Sequence, residues 1–303
     1  MRKIDEAERQ RVLDMYRIVD TLPDSAYQDI VQLASTLCGT PIALLTLIDR
    51  DRQWFKASHG LEGTGTRRED AFCAHAIQAP SDLMEVPDAQ QDPRFVANPL
   101  VTGAPNVRFY AGMPLVAPGG EAMGTVCVID EVPRRLDERQ RKGLAALSRL
   151  TMTLLDARLH ERELERAVAF AESAAAHPGE PFTVMILQVQ GMPEAVARMG
   201  DRAVERQLQA LEQRFGAVLD ARSGDSVNRT TDSPDFIAVL HAGAQETERR
   251  LRECAETFTR EGGMTVFCAS VTAEAPDDRI ERVYLRADEA LTRLKDEAAA
   301  TVA

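Results

Sequence analysis

The middle of the chain contains one very long stretch with the pattern of a helix. It runs from about Asp137 to His177, with no glycine after Gly143 and no proline before Pro178. Glycine and proline interrupt a helix interior at a cost of about 1 and about 3 kcal/mol. Their absence over this length favours one continuous helix, and any fold for the chain must accommodate it.

Apolar residues on this predicted helix recur at spacings of three and four, as on one helix face. They are Leu147, Leu150, Leu154, Leu164, Val168 and Ala171, with Glu161 interrupting the series. Two interpretations fit the pattern. Either helices of two domains are joined end to end, or the stretch is a signalling helix that pairs with its copy in a homodimer.

Chain length independently favours two domains. Single hydrophobic cores rarely grow beyond about 250–300 residues, and this chain has 303 residues, of which 44% are hydrophobic and 28% charged, as in an ordinary globular protein. We predict a first domain with an N-terminal helix over residues 1–157, a connecting helix over 137–177 that overlaps both domains, and a second domain over 178–303.

Charge and hydropathy restrict the expected partners. The net charge of −12 repels phosphate backbones and anionic lipids, so neither nucleic acid nor a membrane surface is expected as a partner. The amino end, "MRKIDEAERQ", lacks the apolar core of a signal peptide, and the longest apolar run, "IALLTLI", is too short to cross a bilayer. These features predict a cytoplasmic protein.

The cysteine pattern predicts free thiols. The five cysteines are widely scattered, without a CxxC pair, and are Cys38, Cys73, Cys127, Cys254 and Cys268. An odd count at such spacings indicates reduced thiols rather than a disulfide framework or a zinc site. No metal site is predicted, and the sequence identifies no cofactor.

Both halves have an α+β pattern. In the first, "DSAYQDIVQLASTLCG" predicts a helix that begins at Asp24 or Ser25 and ends at Gly39. Two strand pairs follow, around polar turns at residues 49–52 and 118–120, and both indicate antiparallel hairpins. Neither GxGxxG nor GxxxxGK[ST] is present, which argues against a parallel nucleotide-binding sheet.

The second half predicts a different order of elements. A buried strand in "PFTVMILQVQ" precedes a helix near Ala195–Phe215, and "VNRTTDSPDFIAVL" predicts a hairpin with Pro234 and Asp235 at its tip. A helix near Gln245–Glu261, the strand "MTVFCASVT" and a closing helix complete it. The closing helix has one apolar face, formed by Ile280, Val283, Tyr284, Ala287, Leu291 and Leu294.

Several motifs of the first half resemble those of bacterial GAF domains. They are "RQWFKASHGL", "DAFCAHAI", "VPDAQQDPRFVANPLV", "RFYAGMPLV" and "MGTVCVIDEVPRRLDERQ", in that order. The resemblance covers roughly residues 13–157. It implies a sensory fold in which a six-stranded antiparallel sheet encloses a small molecule.

The resemblance also supplies candidate ligand-binding residues, because such a pocket needs apolar walls and a few convergent polar groups. The candidates are Trp54, Cys73, His75, Arg108, Tyr110 and Cys127. Each has a structural alternative, such as closing a core for Trp54 or packing as an inert thiol for Cys127. Cys73 stands two residues from His75 near a helix start, where a thiol can become acidic and reactive. Because the family includes free methionine sulfoxide reductases, a GAF thiol redox enzyme is an alternative.

The second half resembles a GGDEF domain, the fold of diguanylate cyclases, over roughly residues 162–297. The resemblance rests on "YLRADEALTRLKDEA" as the last helix, "MTVFCASVTA" as the fifth strand and "DSPDF" at the position of the signature. It implies an α+β domain with a mostly antiparallel central sheet, joined to the GAF fold by the long helix.

The cyclase chemistry itself is predicted to be absent. The reaction joins two GTP molecules and needs Mg²⁺ held by carboxylates, yet Gln188 and Pro234 stand at the two metal-binding positions of the family. Val196 and Glu205 stand at the guanine-reading positions. The signature's double glycine is replaced by Asp232 and Ser233, and Asp235 follows Pro234.

One binding function is retained as an alternative. "RSGD" contains an Arg and an Asp, Arg222 and Asp225, like the family's RxxD site for cyclic di-GMP, but it stands six residues before Asp232 instead of the usual five. We therefore expect a cytoplasmic signalling protein with a sensory GAF pocket and a catalytically inactive GGDEF-like domain. The second domain would serve dimerisation or a protein partner in cyclic di-GMP signalling. An active cyclase is the remaining alternative.

Overall fold

The fold is described from a computed structural model that covers residues 5–219, 223–230, 233–241, 244–262, 264–274 and 278–302. The chain divides into two compact units. The first extends through Val19 and from Pro23 to Leu159; the second comprises Asp20–Leu22 and the chain from His160 onward. Among the described residues, no helix combines the length and hydropathy needed to cross a membrane.

The elements follow one another in a simple order. In the first unit they are α1 (Glu6–Tyr16), α2 (Ser25–Cys38), β1 (Ile42–Ile48), β2 (Arg52–His59), β3 (Gly65–Arg67), α3 (Phe72–Ala76), β4 (Met84–Val86), α4 (Pro99–Thr102), β5 (Phe109–Val116) and β6 (Ala122–Asp130). Then come α5 (Glu138–Ala176), β7 (Thr183–Gln190), α6 (Met192–Met199), α7 (Asp201–Val218), β8 (Ser226–Arg229), β9 (Asp235–Leu240), α8 (Ala244–Gly262), β10 (Thr265–Thr272) and α9 (Ile280–Val302).

The first unit is built on a six-stranded antiparallel sheet of order β3-β2-β1-β6-β5-β4. The predicted helix before it is confirmed: the Asp24 side chain accepts from the backbone N–H of Ala26, and Gly39 ends α2 in the left-handed conformation at φ +63°. Both predicted hairpins are confirmed as β1–β2 and β5–β6. The sheet places Cys127 of β6 beside Leu44 of β1.

The two faces of this sheet carry separate cores because successive strand residues point to opposite sides. One core packs against α1, α2 and the first half of α5, through residues that include Leu13, Val31 and Leu155. The other packs against α3 and α4, and Phe72 stacks on Phe95 there, with ring centroids 4.0 Å apart.

The second unit is an α+β domain on a four-stranded antiparallel sheet of order β10-β7-β9-β8, as predicted. The helix expected near Ala195–Phe215 is instead two helices, α6 and α7. Gly200 separates them with φ +82° and ψ 154°, values that a continuous helix does not accommodate. The face of α9 is buried from Ile280 to Leu291, but Leu294 is exposed, contrary to the predicted face.

The long helix is confirmed as one element of 39 residues, α5. Along its apolar series, Leu147 and Leu154 pack against the core of the first unit. Leu150, Leu164 and Val168 are exposed, at 49%, 54% and 57%. The predicted series therefore divides into residues that serve a core and residues that face outward.

Candidate functional site

A buried group of sulfur and hydroxyl atoms lies on the α3 side of the first sheet, and we call it the thiol–hydroxyl cluster. It consists of Thr46, Cys73, Tyr110, Thr125 and Cys127. The hydroxyls of Tyr110 and Thr125 donate to Cys73 Sγ at 3.3 and 3.1 Å. Cys127 Sγ lies 3.8 Å from Cys73 Sγ. All five side chains are at most 2% exposed.

The local sequence explains the convergence. α3 begins at Phe72, so Cys73 lies in its first turn and faces the sheet. The strand register pairs Thr46 of β1 with Thr125 of β6. Their hydroxyl oxygens lie 3.2 Å apart. Two threonines in otherwise apolar strands thus place their hydroxyls beside the two thiols.

The cluster makes the two thiols unequal. Burial raises the pKa of Cys73, but hydrogen bonds from Cys127, Thr125, Thr46 and Tyr110 outweigh burial and lower that pKa to about 7. The hydrogen bond to Cys73, together with burial, raises the pKa of Cys127 well above its ordinary value. Cys73 is therefore the thiol that ionises first.

His75, a candidate ligand-binding residue two positions from Cys73, does not belong to this cluster. It is exposed, and its ring packs edge-on against Phe95 with centroids 4.9 Å apart. Burial of part of the ring and the nearby Arg94 lower the pKa of His75. Among the described residues, the partners of the Cys73 sulfur are hydroxyls and a thiol.

The remaining ligand candidates lie elsewhere. Trp54 belongs to the core on the opposite, α2 side of the sheet and is 3% exposed; its Nε1 has no hydrogen-bond partner among the described residues. Arg108 donates from Nη1 to the carbonyls of Val101 and Val107 at 2.9 and 3.1 Å. The structure thus brings together Cys73, Tyr110 and Cys127, but not Trp54, His75 or Arg108.

In the second unit, the structure brings Gln188 and the hairpin tip together. Gln188 pairs with Asp235 across β7 and β9, and its Nε2 donates to Asp235 Oδ1 at 2.7 Å. The Pro234 carbonyl accepts from Val189 N at 3.0 Å, and Ser233 Oγ accepts from Asp235 N at 3.2 Å. Gln188, Ser233 and Asp235 are all at most 5% exposed. The polar groups at this tip therefore hold the turn.

The other two cyclase-like positions also have structural roles. Glu205 receives two hydrogen bonds from the Arg229 guanidinium, at 2.7 and 3.0 Å. The Arg229 hydrogen bond, against the opposing effect of burial, lowers the pKa of Glu205. Val196 packs against the apolar core on that side of the sheet.

The RxxD site is only partly visible. Arg222 and Asp232 lie outside the described residues. Asp225 Oδ1 accepts from the backbone N–H of His241 at 2.8 Å, and its Oδ2 accepts from the Thr247 hydroxyl at 3.1 Å. This carboxylate therefore links the residue that follows β9 to α8.

Comparison with known proteins supports the first resemblance. The family model described as the GAF domain matches residues 23–177. A cyclic di-GMP phosphodiesterase of Pseudomonas aeruginosa is 43% identical over 157 residues, which are 52% of this chain and 26% of that protein. The chain thus spans about a quarter of the length of this relative.

Two solved structures are similar to parts of this chain. A microbial GGDEF domain studied with cyclic di-GMP is 26% identical, with a TM-score of 0.39, and the match covers 45% of this chain and 87% of that one. A free methionine-R-sulfoxide reductase from Neisseria meningitidis is 19% identical, with a TM-score of 0.37, over 51% of this chain and 92% of that one.

Proposed function

This chain belongs to the GAF domain family, and from that premise we propose that it is a sensory and regulatory protein without cyclase activity. Its GAF domain registers a small molecule or a change in redox state. Its second domain, an inactive relative of diguanylate cyclases, carries the response to a partner. The cyclic di-GMP phosphodiesterase among its relatives supports a place in cyclic di-GMP signalling.

The hydrogen bond between Gln188 and Asp235 carries the proposal that the second domain is inactive. An amide at the end of β7 offers no charge to a magnesium ion, and its Nε2 already donates to Asp235, a carboxylate at the hairpin tip. Pro234 supplies no side-chain ligand. A hard divalent cation that must bridge phosphates needs charged oxygen ligands, and this hairpin tip provides them poorly.

An assay with GTP and Mg²⁺ tests this part of the proposal. We expect the full chain to form no cyclic di-GMP detectable by mass spectrometry, while a diguanylate cyclase of known activity in a parallel tube converts its substrate. Reproducible product that increases with the concentration of this protein would refute the proposed inactivity.

The outward-facing part of α5 supports a homodimer. Leu150, Leu164 and Val168 are about half exposed, and fourteen residues, two heptads, separate Leu150 from Leu164. Pairing with a second copy would bury this stripe. We expect sedimentation to show a dimer that Leu164→Glu weakens about tenfold or more. Leu33→Glu, at an equally exposed leucine of α2 (56%), is the control and should leave the dimer unchanged. A monomeric wild type would contradict this part.

The thiol–hydroxyl cluster supports redox sensing as a second candidate for the GAF domain. A hydroperoxide would oxidise the Cys73 thiolate to a sulfenic acid and leave as an alcohol; the Cys127 thiol would then displace water and form a disulfide. Two electrons pass from the two sulfurs to the peroxide. The sulfurs must approach from 3.8 Å to bonding distance, about 2.05 Å.

The burial of Cys73 supports sensing over enzymatic turnover. At 2% exposure its sulfur has no open path for a bulky substrate such as methionine sulfoxide, whereas a small oxidant reaches it during brief local opening. For the RxxD site, Asp225 is already engaged by His241 N and Thr247 Oγ1, and this does not favour cyclic di-GMP binding there.

A further inference from the structure

Three side chains able to bind a metal converge in the second unit. His177 directly follows α5, Glu180 stands three residues later in the "HPGEP" turn, and His241 directly follows β9. One ring nitrogen of each histidine and one carboxylate oxygen of Glu180 lie within 4.8 Å of one another. The three side chains share a surface cleft, which Phe182 and Ile280 also line.

The surrounding structure holds the His241 ring in place. His241 is 4% exposed, its Nε2 lies 3.0 Å from Ser173 Oγ, and Asp225 accepts from its backbone N–H. Its Nδ1 is buried and has no hydrogen-bond partner among the described residues. A buried ring nitrogen without a partner is unfavourable, and a metal ion in the cleft would supply one.

His177 and Glu180 are positioned by local backbone geometry. His177 Nδ1 lies 3.4 Å from Glu180 Oε2, across a turn in which Gly179 adopts φ +75°. The opposite nitrogen of His177 packs against Gly224, where a Cβ atom would come within 1.9 Å of it. A side chain at position 224 would therefore displace the ring. The rings of His177 and His241 have centroids 4.2 Å apart, inclined by 32°.

We propose that His177, Glu180 and His241 form a binding site for a divalent transition metal ion such as Zn²⁺. Two imidazoles and one carboxylate are a ligand set suited to zinc, and Mg²⁺ and Ca²⁺ prefer all-oxygen sites. The open side of the cleft leaves a fourth position for water. This site is independent of the proposed signalling function and goes beyond it.

Small side-chain movements would complete the coordination. Ligand atoms around a tetrahedral zinc ion lie roughly 3.3 Å apart, given zinc–nitrogen bonds of about 2.0–2.1 Å, so the present cluster must contract. His177 and Glu180 have the freedom to do so because their side chains are 22% and 52% exposed. Two other carboxylates nearby are otherwise engaged, Asp225 by His241 N and Thr247, and Asp278 by Arg286, whereas Glu281 also lines the cleft.

The bound ion would join the end of α5 to the end of β9 within the second unit. These two segments are far apart in sequence, so a metal bridge between them would stabilise the folded domain against unfolding. The expected consequence is a zinc-dependent rise in the melting temperature of the protein.

Titration of this metal-free chain with Zn²⁺ by calorimetry tests the proposal. We expect one equivalent to bind and the melting temperature to rise. Both His177→Gln and Glu180→Gln should weaken binding on the order of 10- to 100-fold. Since these side chains are partly exposed, the metal-free variants should melt close to the wild type, which a thermal scan without zinc checks.

His160→Gln provides a matched control. His160 and Glu163 form the same three-residue spacing of imidazole and carboxylate on α5, with Nδ1 to Oε2 at 3.9 Å, but are 72% and 49% exposed. This variant should bind zinc like the wild type. Absence of zinc binding, or equal binding by all four proteins, would refute the site.

Cobalt substitution identifies the ligand type. With Co²⁺ we expect visible ligand-field bands without the near-ultraviolet charge-transfer band of a cobalt–thiolate bond. A thiolate band would show that the ion binds cysteine, such as the half-buried Cys254 or Cys268, and would overturn the assignment.

Discussion

Both units bury a small polar cluster beside their central sheet, yet the two clusters have opposite chemical character. In the first unit, hydroxyl donors surround Cys73 and lower its pKa to about 7. In the second, the amide of Gln188 donates to Asp235, and both side chains hold a turn. Burial alone therefore does not decide whether a cluster is reactive. The difference lies in the acceptor: in the first cluster the donors stabilise an ionised thiol, and in the second the amide donates to a carboxylate that holds a turn.

The largest expected effect concerns the oxidation of the thiol–hydroxyl cluster. Treatment of the native protein with a slight excess of hydroperoxide should convert Cys73 and Cys127 to a disulfide, because the two sulfurs are 3.8 Å apart and Cys73 ionises near neutral pH. Mass spectrometry after alkylation should show the loss of two thiols. Cys73→Ser should abolish the disulfide entirely.

Cys38→Ser is the matched control for this experiment. Cys38 is also buried, but burial and Asp137 raise its pKa to about 11. Its replacement should leave the disulfide unaffected. If peroxide instead consumed Cys254 or Cys268 first, with Cys73 intact, the contrast between the two clusters would not hold.

The second prediction replaces the neutral amide of the Gln188–Asp235 pair with a carboxylate. Gln188→Asp would bring a second buried carboxylate close to Asp235, in place of the amide that now donates to Asp235 at 2.7 Å. We expect the free energy of unfolding at pH 8 to fall by about 2 kcal/mol more than in the neutral control Gln188→Asn. Urea unfolding measures both.

The stability loss caused by Gln188→Asp should depend on pH, and its direction follows from the two neighbouring carboxyls. Repulsion would raise the pKa of one of the two carboxyls, so the penalty should shrink as the pH falls toward 5 and that carboxyl protonates. Equal stability of the Asp and Asn variants at pH 8 would mean that the tip tolerates a second charge. The proposed loss of metal-binding capacity would then need another explanation.

The smallest effect tests the hydroxyl donors of the first cluster. The pKa of Cys73 is about 7 in the fold against 9.0 for an ordinary thiol, so its ionisation adds stability as the pH rises from about 7 to 9, and this stability is lost as the pH falls through 7. Tyr110→Phe removes one donor. It should raise the Cys73 pKa by about one unit and reduce this gain by about 1 kcal/mol.

Urea unfolding across this pH range measures the difference. Tyr16→Phe is a suitable control, because burial and Asp156 raise the pKa of Tyr16 beyond the tested range. Removing the Tyr16 hydroxyl should therefore leave the change of unfolding free energy with pH as it is in the wild type. An identical slope in wild type and Tyr110→Phe would show that the Tyr110 hydroxyl does not stabilise the thiolate.

Local patterns were sufficient to predict most of the fold. Asp24 and Gly39 marked the ends of α2, and the absence of glycine and proline marked α5. The helix near Ala195–Phe215 was predicted wrongly. Its apolar pattern is continuous, but Gly200 adopts φ +82° and divides the segment into α6 and α7. Periodicity reports which face is apolar, but a single glycine decides whether the backbone stays helical.

The sites were less predictable, because they depend on contacts between distant segments. Motif strings contained Trp54 and Cys73 without showing that they face opposite sides of the sheet. Thr46 and Thr125 were missed, although a hydroxyl inside a buried apolar strand was an available signal. No local pattern links His177 to His241, since only the packing of α5 beside β9 brings them together.

Helix α5 contributes to two hydrophobic cores along a single run of backbone. Leu144, Met152 and Leu155 belong to the core of the first unit, and Phe170 belongs to a core of the second. Each helical turn is stabilised by its neighbours, so fraying that begins in one half removes support from the other. We therefore expect the two domains to share part of their cooperativity in melting. A proteolytic cut inside α5 should lower the thermal stability of both fragments, because each core depends on its own half of the helix.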